Sequence, residues 1–237
     1  MDGARCGLWL GGYVPLIGES VGPTGRIAAL DLAPENIARV ERLVREGRCA
    51  APVECRVGSV LDLPFAAATF DGVWCANVAQ YLTEAEFTRA MGELCRVTKP
   101  GGLVAVKEFD ATLLQMLPLD PAIFARLAAA RRAKAAATGL LGAWCGPLLG
   151  PFFRRAGLTD LVRKGWLIER WAPPPRPTRQ FVAMGLRFQA GLAAAHDVSP
   201  ADRKALQAAA ADPDRLLDDP DFCLREAFVV TRGRVPA

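Results

Sequence analysis

The chain has 237 residues, 51% hydrophobic and 23% charged, and its 29 basic side chains nearly balance 25 acidic ones for a net charge of +4. That length fits one large domain or one domain with insertions, and it buries about 70% of the unfolded surface without disulfide or metal staples. The composition excludes a disordered acidic tail and a collagen-like fibre, and the scattered basic residues leave no footprint for nucleic acid.

Seven cysteines, at 6, 49, 55, 75, 95, 145 and 223, include no C-x-x-C pair, and His196 is the single histidine. No metal site is expected, and the thiols read as small hydrophobes of a reduced, cytoplasmic protein. Two apolar stretches mimic membrane signals. Residues 6–17 follow Arg5 but lack a small-residue cleavage site, and they lead into a strand pattern. Residues 135–153 carry no charge but hold four glycines and two prolines, so they read as a helix ending in an apolar loop rather than a membrane span. That loop is expected either to pack in the core or to wall a hydrophobic cavity.

Strand-like and helix-like periods alternate along the chain, as in an α/β sheet. A strand over 26–31 follows the turn Gly22-Pro-Thr-Gly25 and ends in an acid. A helix over 34–46 places Ile37, Val40, Leu43 and Val44 on one face behind Pro34. Strands follow at 52–57 and 70–76. Thr83 and Glu86 form a capping box ahead of Phe87, Met91, Leu94 and Val97. Lys99-Pro-Gly-Gly102 then turns the chain into a strand over 103–109. Beyond it come an alanine-rich helix from Asp120 to about Ala137, a short helix over 152–157 and a strand over 161–171. An extended proline run at 172–177 precedes helices over 178–195 and 200–211, the second capped by Ser199, and a last strand runs over 224–231.

Three positions carry polar chemistry at strand ends. Asp31 lies 20 residues after Gly11, where an acid in a nucleotide-binding α/β fold commonly holds a ribose diol. Charged hydrogen bonds of that kind contribute about 1.5–3 kcal/mol each. Asp62, in Gly58-Ser-Val-Leu-Asp-Leu-Pro64, could accept from an exocyclic amine, or serve only as a turn residue before proline. The strand 70–76 delivers Asn77, Gln80 and Tyr81 to the carboxyl edge of the sheet, where ligands of open α/β folds bind.

The order of the segments GPTGRIAALDLAPENIARVE, GSVLDLPFAAATFDGVW, NVAQYL and ELCRVTKPGGLVAVKEF resembles class I S-adenosylmethionine-dependent methyltransferases. The likeness covers about residues 10–110, with a weaker echo at 152–162, and is to the small-molecule branch that includes the ubiquinone and menaquinone methyltransferases. It implies a Rossmann-like α/β fold: a seven-stranded sheet, its last strand antiparallel, in a single methyltransferase domain over 1–237. Residues 1–110 would be the cofactor-binding half, 111–151 and 172–221 helical cap insertions, and 152–171 and 222–232 the last strands. The cofactor implied is S-adenosyl-L-methionine, with Asp31 on the ribose, Leu32 beside the adenine, Asp62 and Leu63 at the adenine edge, and Asn77 near the methionine portion. The family opens with a strand, an acid and the loop D-x-G-x-G-x-G. Here Gly7 and Gly11 fall on the outer glycines, Trp9 replaces the middle one and Arg5 replaces the acid. The first, central strand is therefore expected to be missing, unless residues 6–10 stand in for it in degenerate form. The function expected is methyl transfer to a small, lipophilic or aromatic acceptor, with Tyr81 and His196 as candidate bases. The alternative is a non-catalytic or inactive truncated member of the same fold.

Overall fold

The structure, a computed structural model, describes residues 13–237. The chain divides into two compact units. One holds the residues up to Glu108 together with Cys145–Lys164 and Val229–Ala237; the other holds Phe109–Trp144 and Gly165–Phe228.

In the first unit, helix α1 (Val14–Val21) precedes strand β1 (Ile27–Asp31), helix α2 (Pro34–Arg45) and strand β2 (Val53–Val57). Four of the five β1 residues are buried, the near-continuous apolar run of a parallel strand covered on both faces. It pairs in parallel with β2, Ile27 opposite Val53 and Asp31 opposite Val57. The connection between them is α2, with Pro34 in its first turn, Glu35 at its positive end and Arg42 and Arg45 in its last turn. Val14, Ile27, Ala29, Val40 and Ala51 form the core here. Helix α1 is a correction to the reading of residues 6–17 as an apolar run leading into a strand. Val14 and Gly18 lie one turn apart and both face inward. A side chain at Gly18 would come 2.7 Å from the Cys49 sulfur, so the helix needs a glycine there to lie so close.

Strand β3 (Phe70–Ala76) leads through a 3-10 turn (Ala79–Tyr81) to helix α3 (Glu84–Val97). The predicted capping box is present: Thr83 N donates to Glu86 Oε2 at 2.8 Å, and Glu86 N donates to Thr83 Oγ1 at 3.3 Å. Phe87, Ala90, Met91, Leu94 and Val97 form the buried stripe of α3. Strand β4 (Thr98–Leu117) is longer at both ends than expected. The turn at Lys99-Pro-Gly-Gly102 survives as a bulge inside it. The parallel partner jumps from Thr98 to Leu103 while β3 advances only from Phe70 to Gly72, and Gly101 takes φ +74°.

Helix α4 (Ile123–Thr138), helix α5 (Gly150–Arg155), strand β5 (Thr159–Trp171), helices α6 (Arg176–Ala195), α7 (Pro200–Ala211) and α8 (Pro213–Leu217), and strand β6 (Cys223–Arg234) complete the chain. Strand order is β3-β4-β6-β5. Gly101 N reaches Val235 O at one end and Arg225 reaches Gln115 at the other, so β6 runs antiparallel to β4. The last strand is thus antiparallel, as the resemblance implied. Six strands are present among the described residues, in two hydrogen-bonded sets, and none of them links β1 to β3. The stretch expected to supply a first strand, residues 6–10, lies outside the described residues.

The second unit has its own core, with Phe124, Leu127, Leu186, Leu206 and Phe222 buried between α4, α6, α7 and the strands. Arg126 clasps Asp202 through Nε at 2.7 Å and Nη2 at 2.6 Å. Ser199 caps α7, as predicted, accepting from Asp202 N. Helix α6 begins two residues earlier than expected, because Pro177 is tolerated in the first turn, where its missing N–H has no partner to lose. Helix α8, not foreseen, is opened by Asp212 and Pro213. In the apolar loop, Cys145, Leu149 and Phe153 are fully buried, and Phe152 packs edge-on against Phe87 at 5.0 Å. Among the described residues, no helix is long and apolar enough to cross a membrane.

Candidate functional site

A cavity of about 610 Å³ lies in the first unit, where the carboxyl ends of β1, β2 and β3 open. This is where open α/β folds place their ligands, and the volume is that of a small-molecule site. Its first wall is Leu30 to Ala33. Asp31 closes β1, and one carboxylate oxygen accepts from Ala33 N at 2.9 Å, which fixes the side chain at the strand end. Leu32 presents 74% of its surface, an unusual exposure for a leucine.

The second wall is the turn after β2. Ser59 Oγ accepts from Leu61 N at 3.1 Å, and Leu63 is buried. Helix α3 holds this turn from behind. Glu93 Oε2 accepts from Leu63 N at 2.8 Å, while Arg96 donates to Leu63 O at 3.0 Å and Phe65 O at 2.7 Å. The two side chains also bond each other, and the Arg96 guanidinium is the main cause that holds the Glu93 carboxyl down at about 2.

The third wall is the turn after β3. Asn77 has φ +57°, in the left-handed region that asparagine tolerates better than most residues. Its N–H donates to Lys107 O at 2.9 Å, and the buried Lys107 ammonium donates to Asn77 Oδ1 at 2.9 Å. The amide NH₂ of Asn77 is the donor end left for a ligand. Val78 N and Ala79 N both donate to Glu108 Oε1 at 2.8 Å. Tyr81, half exposed, completes the wall.

The structure therefore brings Asp31, Leu32, Leu63, Asn77 and Tyr81 to one cavity. Asp62 sits in the same turn without lining it: Leu61 and Leu63 face the cavity, and Asp62 between them is exposed. His196 belongs to the second unit, at the end of α6, with Nδ1 2.8 Å from Leu192 O, and it is not among the residues lining the cavity. Gly7 and Gly11 lie outside the described residues. The sequence reading missed Glu93, Arg96, Lys107 and Glu108. For the last two a signal exists, since two charges interrupt an otherwise apolar strand; for Glu93 and Arg96 there is none, because their spacing is that of an ordinary solvated helix pair. Among the described residues, no three His, Cys, Asp or Glu side chains gather to hold a metal ion.

Residues 6–106 match the family model of the methyltransferase domain. Over those residues the chain is similar to methyltransferase domains, and its fold is the α/β fold of class I methyltransferases. Every residue lining the cavity falls inside the matched segment. Among curated proteins, the domain is 34% identical over 101 residues to the chloroplastic 2-phytyl-1,4-beta-naphthoquinone methyltransferase of Arabidopsis thaliana, covering 40% of this chain and 36% of that one. The match thus spans little more than a third of that relative's length. Among solved structures, a putative methyltransferase from Bacillus halodurans superposes with TM-score 0.59 at 15% identity, over 100% of this chain and 94% of that one. Phosphoethanolamine N-methyltransferase 2 of Haemonchus contortus, solved with S-adenosyl-L-methionine, gives 0.55 at 14% identity, over 100% of this chain and 50% of that one. At these identities the likeness is one of fold.

Proposed function

We propose that the cavity binds S-adenosyl-L-methionine and that the chain, acting in the cytoplasm, transfers its methyl group to a small lipophilic acceptor. The observation that carries this reading is the composition of the cavity wall. A strand-end carboxylate, an apolar slot and an amide donor share one space of about 610 Å³, inside the methyltransferase-matching segment. These groups fit the cofactor. Asp31 would accept from the ribose hydroxyls, Leu32 and Leu63 would flank the adenine, and Asn77 would donate to the methionine portion. The bound cofactor supplies an electrophilic sulfonium methyl. The chain's own part is to orient the reactants and exclude water, since such transfers rest mainly on positioning. Tyr81 can hydrogen-bond an acceptor hydroxyl and relay its proton outward. The apolar lining from Val60, Leu61, Val78 and Leu82 favours a ring or chain over a charged acceptor, in keeping with the naphthoquinone named for the plant relative.

Calorimetric titration with S-adenosyl-L-homocysteine, followed by incubation with S-adenosyl-L-methionine and a naphthoquinol, tests the proposal. Micromolar binding and a methylated product are expected. No binding at millimolar ligand would overturn it, and tight binding without methylation of any phenol or quinol would favour a non-catalytic member of the fold.

A further inference from the structure

Glu108 is a fully buried carboxylic residue at the point where β4 passes behind the turn that carries Asn77 and Tyr81. A carboxylate inside a protein is costly unless its oxygens are satisfied, yet only half of this one is. Oε1 accepts from two successive backbone donors, Val78 N and Ala79 N, each at 2.8 Å. Oε2 is buried and has no partner among the described residues. The residue before it, Lys107, grips the same turn from both sides of its peptide: its carbonyl accepts from Asn77 N and its ammonium donates to Asn77 Oδ1, both at 2.9 Å. Four hydrogen bonds from two adjacent residues of β4 thus converge on three residues of the turn. Gly146 packs against the stem of Glu108: an added Cβ there would lie 3.4 Å from the Glu108 Cβ and 3.2 Å from Val229.

A turn that only needed to reverse the chain would not require this arrangement. Asn77 takes a positive φ, +57°, and four hydrogen bonds hold it and the two residues after it in place. Immediately after it, two N–H groups point the same way, as at the start of a helix, and a single acceptor satisfies both.

We propose that Glu108 is a positioning residue for the cavity: it fixes the turn of residues 77–82 in the shape that presents Asn77 and Tyr81 to the ligand. Glu108 is not among the residues that line the cavity. The assignment rests on the cofactor reading given above only for the nature of the ligand, not for the geometry of the turn.

The test compares Glu108→Ala, Glu108→Gln and Met91→Ala, the last a control that removes buried core volume on α3 and leaves the hydrogen bonds to the turn in place. Glutamine keeps an oxygen for the two N–H groups and places an amide at the position of Oε2. Hydrogen exchange of the peptide covering 77–82 is read first. Exchange is expected to rise at least tenfold in Glu108→Ala, to stay within about twofold of wild type in Glu108→Gln, and to change in Met91→Ala only as far as every other segment does. Affinity for S-adenosyl-L-homocysteine is read second, with a loss of tenfold or more expected for the alanine variant and near-wild-type binding for the glutamine one. If the alanine variant opens the turn no more than the core control does, or opens it while binding as wild type, the proposal is overturned. Should Glu108→Ala not fold, Glu108→Asp, one methylene too short to reach both donors, takes its place with the same readouts. If wild type itself does not bind, the proposed function falls, and the exchange comparison still decides the role of Glu108.

Discussion

At the scale of single residues, the site depends on where each carboxylate finds its partners. Asp31 makes one side-chain hydrogen bond among the described residues, to Ala33 N, so most of its accepting capacity is left for a ligand. Asp31→Asn is expected to weaken binding of S-adenosyl-L-homocysteine by ten- to a hundredfold, on the basis of about 1.5–3 kcal/mol per charged hydrogen bond. It should shift the melting temperature little, and calorimetry beside a thermal melt checks both. Glu108 behaves oppositely. Burial lifts its carboxyl from 4.5 to about 7, against the Ala79, Val78 and Gln80 N–H groups and the nearby Lys107 ammonium, which favour the ionised form. The unfolded chain releases this proton near pH 4.5 and the folded chain near pH 7, so in that window the folded state holds more protons and stability falls as pH rises. Above pH 7 the contribution is constant. Urea unfolding at intervals between pH 4.5 and 8 should show that slope in wild type, and Glu108→Gln should abolish it.

At the scale of elements, the strand-end turns are shaped from behind by helix and strand side chains. The turn 59–65 hangs on Glu93 and Arg96, one turn apart on α3 and joined to each other. Arg96→Ala removes the donors to Leu63 O and Phe65 O and leaves Glu93 without its cation. The expected result is a loss of about 1–2 kcal/mol in urea unfolding, together with weaker cofactor binding, because the Leu63 wall loosens. Equal binding by the variant and wild type would show that the turn keeps its shape without the clamp. The capping box at Thr83 and Glu86 was legible from the sequence because its geometry is local. The Glu93–Arg96 clamp was not, because its partners lie some thirty residues away along the chain. Strand β4 was also expected to stop at Phe109, before the charge of Asp110. Asp110 is instead buried, its carboxylate accepting from Thr112 N and Thr112 Oγ1, and the strand continues through it to Leu117.

At the scale of the whole molecule, the two units each enclose a core, and the cavity belongs to one of them. A ligand that binds only the folded state stabilises it by mass action, about 2.7 kcal/mol at a hundredfold excess over its dissociation constant. The melting temperature should therefore climb with the logarithm of S-adenosyl-L-homocysteine concentration above that constant. A flat thermal-shift curve up to millimolar ligand would contradict the cavity's assignment.

The order of the elements other than α1 and α8, the helix caps and the strand-end positions of Asp31 and Asn77 follow from the sequence by itself, because they rest on periodicity and on hydrogen bonds between near neighbours. So does the likeness to the methyltransferases, carried by segments whose order and spacing are written along the chain. Only the tertiary structure decided that Leu63 rather than Asp62 faces the cavity, that His196 belongs to another unit, and that Glu93, Arg96, Lys107 and Glu108 shape the walls. Those outcomes turn on which distant groups meet when polar atoms leave water, and a buried charge takes whatever partner the fold brings within reach.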